Sequence, residues 1–179
     1  MVEKILILDF GSQFTQLIAR RIRELNVFSE IHPFNKIPKI DESFKGIILS
    51  GSPCSVNDLD APALNLDLRN INIPVLGLCY GAQWMAKNYG GEVLASAHRE
   101  YGRAPLANHT NSRIFKNVSQ TSVVWMSHGD TITKLPPDFE PHATTENGGL
   151  AAFQIKNKKS SNTTNYTIKP IIGYVLDLK

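Results

Sequence analysis

Residues 74–90 read PVLGLCYGAQWMAKNYG, a short apolar run that ends in Gly77-Leu78-Cys79-Tyr80-Gly81 and passes directly into a helix-like stretch. Val75 to Leu78 has the length and unbroken apolarity of a strand covered on both faces, and Ala82 to Tyr89 has the character of a helix. A strand that enters a helix through a sharp Gly-x-Cys-x-Gly turn pushes one side chain clear of the backbone. At a helix N-terminus the dipole and the unpaired backbone N–H groups stabilise a thiolate, so the pattern suits a nucleophile at Cys79. The competing reading is a buried structural thiol, since free cysteine is among the most buried residue types.

Upstream, Lys4 to Asp9 (KILILD) reads as a buried strand. Phe14 to Leu25 reads as an amphipathic helix with Leu17, Ile18, Ile22 and Leu25 as its apolar residues. Gly46 to Leu49 (GIIL) is a second short apolar strand. Apolar strands separated by helices argue for an α/β fold, with an open, mostly parallel twisted sheet and helices on both faces. Downstream the character changes: Tyr101 to Leu106, Ser122 to Met126, Ala143 to Thr145, Leu150 to Ile155 and Ile171 to Leu176 read as short strands joined by turns. A small antiparallel extension, or a strand that returns to the main sheet, is therefore expected. The whole chain, 1–179, is expected to form a single domain.

Composition narrows the function classes. The chain has 179 residues, 42% hydrophobic and 20% charged, with 19 Lys plus Arg against 16 Asp plus Glu. A net charge of +3 gives no argument for a nucleic-acid or membrane partner. Two cysteines, Cys54 and Cys79, make no disulfide framework, and with no N-terminal signal or long apolar span the expected setting is a reducing cytoplasm. No histidine, cysteine and carboxylate cluster has ligand spacing, so no metal is expected. No Gly-rich loop followed by Lys-Ser or Lys-Thr is present to cradle a nucleotide phosphate.

Three glycine-bearing turns fall at the carboxyl ends of expected strands, where open α/β sheets bind their ligands. They are Asp9-Phe10-Gly11-Ser12-Gln13, Ser50-Gly51-Ser52-Pro53, and Gly77 to Gly81 around the thiol. Each alone has the bland reading of a turn. Together they could line one crevice.

Five segments carry a family likeness: DFGSQFTQLIARRIRE at 9–24, ILSGSPCSV at 48–56, GLCYGAQWMA at 77–86, HREYGRA at 98–104 and VWMSHGD at 124–130. The chain resembles, over about its first 155 residues, the class I glutamine amidotransferase domain of the GMP synthetases, whose fold is flavodoxin-like. The cysteine turn is common to the whole amidotransferase class, whereas HREYGR and WMSHGD are similar to the GMP synthetase branch. The resemblance implies that Cys79 attacks the side-chain amide of glutamine to give a glutamyl thioester and ammonia. It implies oxyanion donors in the backbone N–H groups of Gly51 and Tyr80. It places the substrate's amino-acid end against Gln83 and the backbone of Ser127, His128 and Gly129. It also implies that His98, Arg99, Glu100, Tyr101 and Arg103 face a synthetase partner, although those residues equally suit a solvated loop. That partner, an ATP-binding domain or separate chain beyond these 179 residues, would hold ATP and magnesium and aminate xanthosine monophosphate.

The likeness fades beyond residue 155. Lys156 to Lys169 (KNKKSSNTTNYTIK) has the composition of a polar insert or hairpin tip, and residues 170–179 depart from the family pattern. Members of the family end this domain on a strand running Gly-Val-Gln-Phe-His-Pro-Glu, which supplies the histidine and glutamate of the triad. Here Gly173-Tyr174-Val175-Leu176-Asp177-Leu178-Lys179 stands in its place, so aligned glycines put Asp177 at the histidine and Lys179 at the glutamate. A carboxylate is a poor base for a thiol, and a protonated lysine does not readily shuttle its proton. Of the other histidines, His32, His98, His109, His128 and His142, none precedes Pro-Glu, and His142 comes nearest in chain position. A truncated gene product, an altered fragment and a noncatalytic relative all fit this end. Two functions follow: an impaired glutaminase of the GMP synthetase type, or a noncatalytic module that binds glutamine or docks on a synthetase.

Overall fold

The computed structural model describes residues 2–109, 115, 118–119, 122–146, 148–156, 171–174 and 176–177, with backbone alone at 97–101, 108–109, 127–128 and from 171 onward. The expected insert beyond Lys156, and Lys179, lie outside these residues.

Five strands run parallel at the centre: β1 (Lys4–Asp9), β2 (Phe28–Pro33), β3 (Phe44–Leu49), β4 (Val75–Leu78) and β9 (Ile171–Tyr174). Their spatial order is β2-β1-β3-β4-β9. This is the doubly wound order whose switch point lies between β1 and β3, the place where open α/β sheets generally bind ligands. The edge strand β2 was not among the strands expected from sequence. Its FSEIHP run is polar and only Ser29 on it is buried, so neither period nor apolarity marks it.

Alternation along these strands explains how two helices cover two faces. Leu6 and Leu8 of β1, Ile47 and Leu49 of β3 and Val75 of β4 join the larger core. Helix α2 (Tyr80–Asn88) lies on that side and is buried from Tyr80 to Ala86. Ile7, Ile48, Leu76 and Leu78 project to the other side, where Ile18, Ala19 and Ile22 of α1 (Thr15–Glu24) meet them. Side chains of a strand alternate between faces, so a nearly unbroken apolar strand needs a cover on each.

Beyond β9 the sheet turns antiparallel through β8 (Leu150–Ile155), β7 (Phe139–Thr145), β5 (Glu92–His109), β6 (Val123–Lys134) and the two-residue β10 (Leu176–Asp177). The antiparallel part is larger than the sequence suggested, because Tyr101–Leu106 is only the middle of an 18-residue strand. The β5–β6 pairing slips between Ala95, opposite Asp130, and Glu100, opposite His128. Four residues of β5 thus face only Gly129 of β6, a wide bulge at the start of the HREYGR segment.

Candidate active site

Cys79 is the hinge of the strand-to-helix turn, with φ 48° and ψ −109°. A positive φ is rare for a residue with a Cβ and persists only where surrounding packing enforces it. The enforcement is visible on both sides. A Cβ on Gly77 would lie 2.8 Å from the Ala82 nitrogen and from the Gly81 carbonyl carbon, and one on Gly81 would lie 2.6 Å from Leu49 Cβ. Both glycines therefore let the first turn of α2 sit directly on β3 and β4. The Gly81 N–H donates to the Ser50 carbonyl (3.1 Å), and the Ala82 and Gln83 N–H groups both donate to the Cys79 carbonyl (3.0 Å). The thiol is partly exposed at the first turn of α2, as a nucleophile there must be.

Gly51 closes one side of this turn. A Cβ there would stand 3.7 Å from Cys79 Cβ and 3.5 Å from Ser12 Oγ, so the loops after β1, β3 and β4 converge as the three glycine turns suggested. A buried polar set holds the loops. Ser50, fully buried, donates from its hydroxyl to the Gly51 carbonyl (2.8 Å) and accepts from the Phe10 N–H (2.9 Å). Asp9 accepts from the Gly11 N–H (2.9 Å) and the Thr15 hydroxyl (2.6 Å), which ties the start of α1 to β1. Asp9, Thr15 and Ser50 were not singled out from sequence, although they sit inside or beside the motifs. Acceptor and hydroxyl groups at strand ends beside glycine turns were the available signal.

Tyr80 follows Cys79 but its side chain faces the core. Its hydroxyl donates to the Pro62 carbonyl (2.6 Å), its ring packs on Phe10 (5.3 Å between centroids), and burial pushes the phenol up to about 12. The Tyr80 side chain is thus turned away from the thiol side of the turn. Gln83, 4% exposed, points its amide nitrogen at the Asp130 carbonyl (2.9 Å) and so binds α2 to β6 next to Ser127, His128 and Gly129. His98, Arg99, Glu100, Tyr101 and Arg103 lie on β5 rather than in a loop, and the Arg103 side chain is exposed.

Strand register locates two of the histidines. His32 is level with Leu8, Leu49 and Gly77, and Ala143, next to His142, is level with Ala152, Tyr174 and Leu78. Each is three strand spacings from β4, about 14 Å at ~4.8 Å per strand. Neither can take the Cys79 proton; they lie instead beside Glu30 (3.4 Å) and Glu140 (3.3 Å) on their own strands. Strand β9 runs beside β4 with Gly173 opposite Gly77, and Asp177 of β10 then pairs with Trp125 of β6. Among the described residues no three His, Cys, Asp or Glu side chains form a metal-binding group. No helix among them is long and apolar enough to cross a membrane. A separate cleft of about 850 Å³, lined by Ile37, Ile40, Phe44, Leu66, Ile71 and Ile73, lies at the opposite end of the strands from the thiol.

The chain has a doubly wound sheet with a strained cysteine elbow at its switch-point end, and it belongs to the family Glutamine amidotransferase class-I, which residues 6–162 match. Within that family its relatives are GMP synthases. It is 57% identical over 159 residues to the glutamine-hydrolyzing GMP synthase of Cytophaga hutchinsonii, covering 88% of this chain and 31% of that one. It is 51% identical over 160 residues to the glutamine-hydrolyzing GMP synthase 1 of Bacteroides thetaiotaomicron, covering 89% and 32%. The chain thus spans about a third of the length of these relatives. The crystal structure of a Thermoplasma acidophilum protein, assigned as one subunit of a GMP synthase, superposes with a TM-score of 0.74 at 27% identity, covering 98% of this chain and 84% of that one.

Proposed function

We propose that this chain is the glutamine-hydrolysing domain of a GMP synthase, with Cys79 as its nucleophile. The observation that carries the reading is the elbow itself: a cysteine held at positive φ, at the N-terminus of a buried helix, with Gly51 packed against it. The Cys79 sulfur attacks the side-chain amide carbon of glutamine, and the oxyanion that forms is met by the N–H groups of Gly51 and Tyr80. The C–N bond breaks and ammonia leaves with a proton. Water then adds to the thioester, the C–S bond breaks, and glutamate departs as the thiol is restored. Gln83 and the backbone of Ser127, His128 and Gly129 receive the amino-acid end of the substrate.

Ammonia is the useful product. It passes to a synthetase domain or subunit docked along residues 98–103 of β5, and there converts xanthosine monophosphate to GMP. ATP and magnesium act in that partner, and the glutaminase step needs no cofactor. Two thiols free of disulfide suit a cytoplasmic setting.

A second reading, a glutamine-binding or docking module, is favoured by one feature. Strand β9 occupies the place beside β4, yet the residue at the family's histidine position is Asp177. A carboxylate there is a poor proton acceptor for a thiol, so hydrolysis by this chain is slow. Ammonia release from glutamine, followed with and without a GMP synthase synthetase domain, tests both readings. Slow release that vanishes in Cys79→Ala is expected. Release that survives Cys79→Ala rejects the nucleophile, and rapid release by the chain alone rejects the impaired base.

A further inference from the structure

The β5–β6 ribbon is paired on both sides of its register break, Ser127 and His128 with Tyr101 and Glu100, and Asp130 with Ala95. Gly129 between them faces four residues of β5, so the ladder does not carry the placement of Asp130 across to Ser127 and His128. Asp130 is the last residue of β6 still in register with β5 on that side of the break, opposite Ala95. It is also bound twice from outside the ladder. Its carbonyl accepts from Gln83 of α2 (2.9 Å), and its carboxylate accepts from the hydroxyl of Ser55 (2.5 Å).

Ser55 belongs to the loop that carries Gly51. The Asn57 N–H donates to the Ser55 oxygen (3.0 Å), so the serine proton is directed to Asp130. The loop is then anchored at each following residue. Lys87 of α2 donates to the Val56 carbonyl (2.6 Å) and to Asn57 Oδ1 (2.8 Å), and the Asn57 amide donates to the Val93 carbonyl of β5 (3.0 Å). Loop 55–57 is bonded to α2, β5 and β6 at once.

We propose that Ser55 and Asp130 are positioning residues for glutamine binding: their hydrogen bond locks the 127–129 segment to the loop bearing Gly51, so that the site for the amino-acid end and the site for the oxyanion keep a fixed separation. The proposal rests on the reading of Cys79 as the glutamine-attacking thiol. Neither side chain touches the reacting atoms. A hydrogen bond to a charged group is worth more than a neutral one, and here it acts on geometry that substrate binding would otherwise have to impose.

The test uses the full chain and measures how much glutamine protects Cys79 from iodoacetamide, with the modified thiol identified by peptide mass. Ser55→Ala is expected to need about tenfold more glutamine for half-protection, while the rate of Cys79 alkylation without glutamine stays at the wild-type value. Ser55→Thr, which keeps the hydroxyl, restores protection. Asp130→Ala behaves as Ser55→Ala, and the double variant is no worse than either. Wild-type protection in Ser55→Ala overturns the positioning role while leaving the nucleophile intact. Equal loss in Ser55→Ala and Ser55→Thr, or a drop in alkylation without glutamine, overturns it in favour of a general disturbance of the loop. Failure of glutamine to protect Cys79 in the wild-type chain overturns the underlying reading and the proposal with it.

Discussion

Cys79 has a backbone conformation that an L side chain holds at a cost of about 1–3 kcal/mol, and its neighbours leave it no alternative. Gly77 and Gly81 each lie where a methyl group would strike backbone or Cβ atoms of α2 or β3. Two results follow at this scale. Ordinarily glycine is the less stable choice, but at position 79 Cys79→Gly is expected to melt above Cys79→Ala, since glycine alone relieves the positive φ. Calorimetry on the two variants decides it, and the usual order would mean the turn is not strained. Gly81→Ala is expected to lose about 1–3 kcal/mol in urea denaturation, because Leu49 Cβ and the Leu49 carbonyl cannot both retreat. The strained cysteine turn and its glycines were legible in sequence, because a Gly-x-Cys-x-Gly run between a strand and a helix has few uses. Ser55 and Asp130 were not legible as a pair, since 75 residues separate them and only the register of β6 brings them together.

Helix α2 begins at Tyr80, two residues before the stretch that periodicity marks, because the tyrosine and Gly81 are held by tertiary contacts rather than by helix preference. The Tyr80 hydroxyl anchors the loop between β3 and β4 through Pro62. Tyr80→Phe leaves that buried carbonyl without its donor and should cost about 1 kcal/mol. If its role is structural, Cys79 alkylation changes little in the folded protein; a large loss of reactivity would place the hydroxyl in the chemistry. Strands β1 and β4 have the bounds their apolar runs predict, whereas β2 escaped notice and β5 proved far longer than its apolar centre. Both misses have one cause: edge and ribbon strands face solvent, so pairing rather than hydrophobic period defines them.

At the scale of the molecule, two burials set the alkaline limit. Tyr80 and Tyr89 both have phenols pushed up to about 12, chiefly by burial, so in the folded chain they keep protons that the unfolded chain releases near 10. Above pH ~10 the folded state binds more protons than the unfolded state, and stability falls until about pH 12. Urea midpoints taken from pH 9 upward should therefore decline, and less steeply in Tyr80→Phe; a flat profile would show that the rings are not buried. Strands β1, β3 and β4 were readable from apolar runs alone, and they place the three glycine loops at one end. His32 and His142 are kept from the thiol by three strand spacings each, and Asp177 pairs with Trp125 of β6. Whether the thiol and the loops around it take glutamine is directly testable. A glutamine-like alkylator added to the intact chain, with modified peptides weighed by mass spectrometry, should place one label on Cys79 and lose it when glutamine is in excess. A label on the exposed Cys54, or one on Cys79 that glutamine does not suppress, would contradict the assignment.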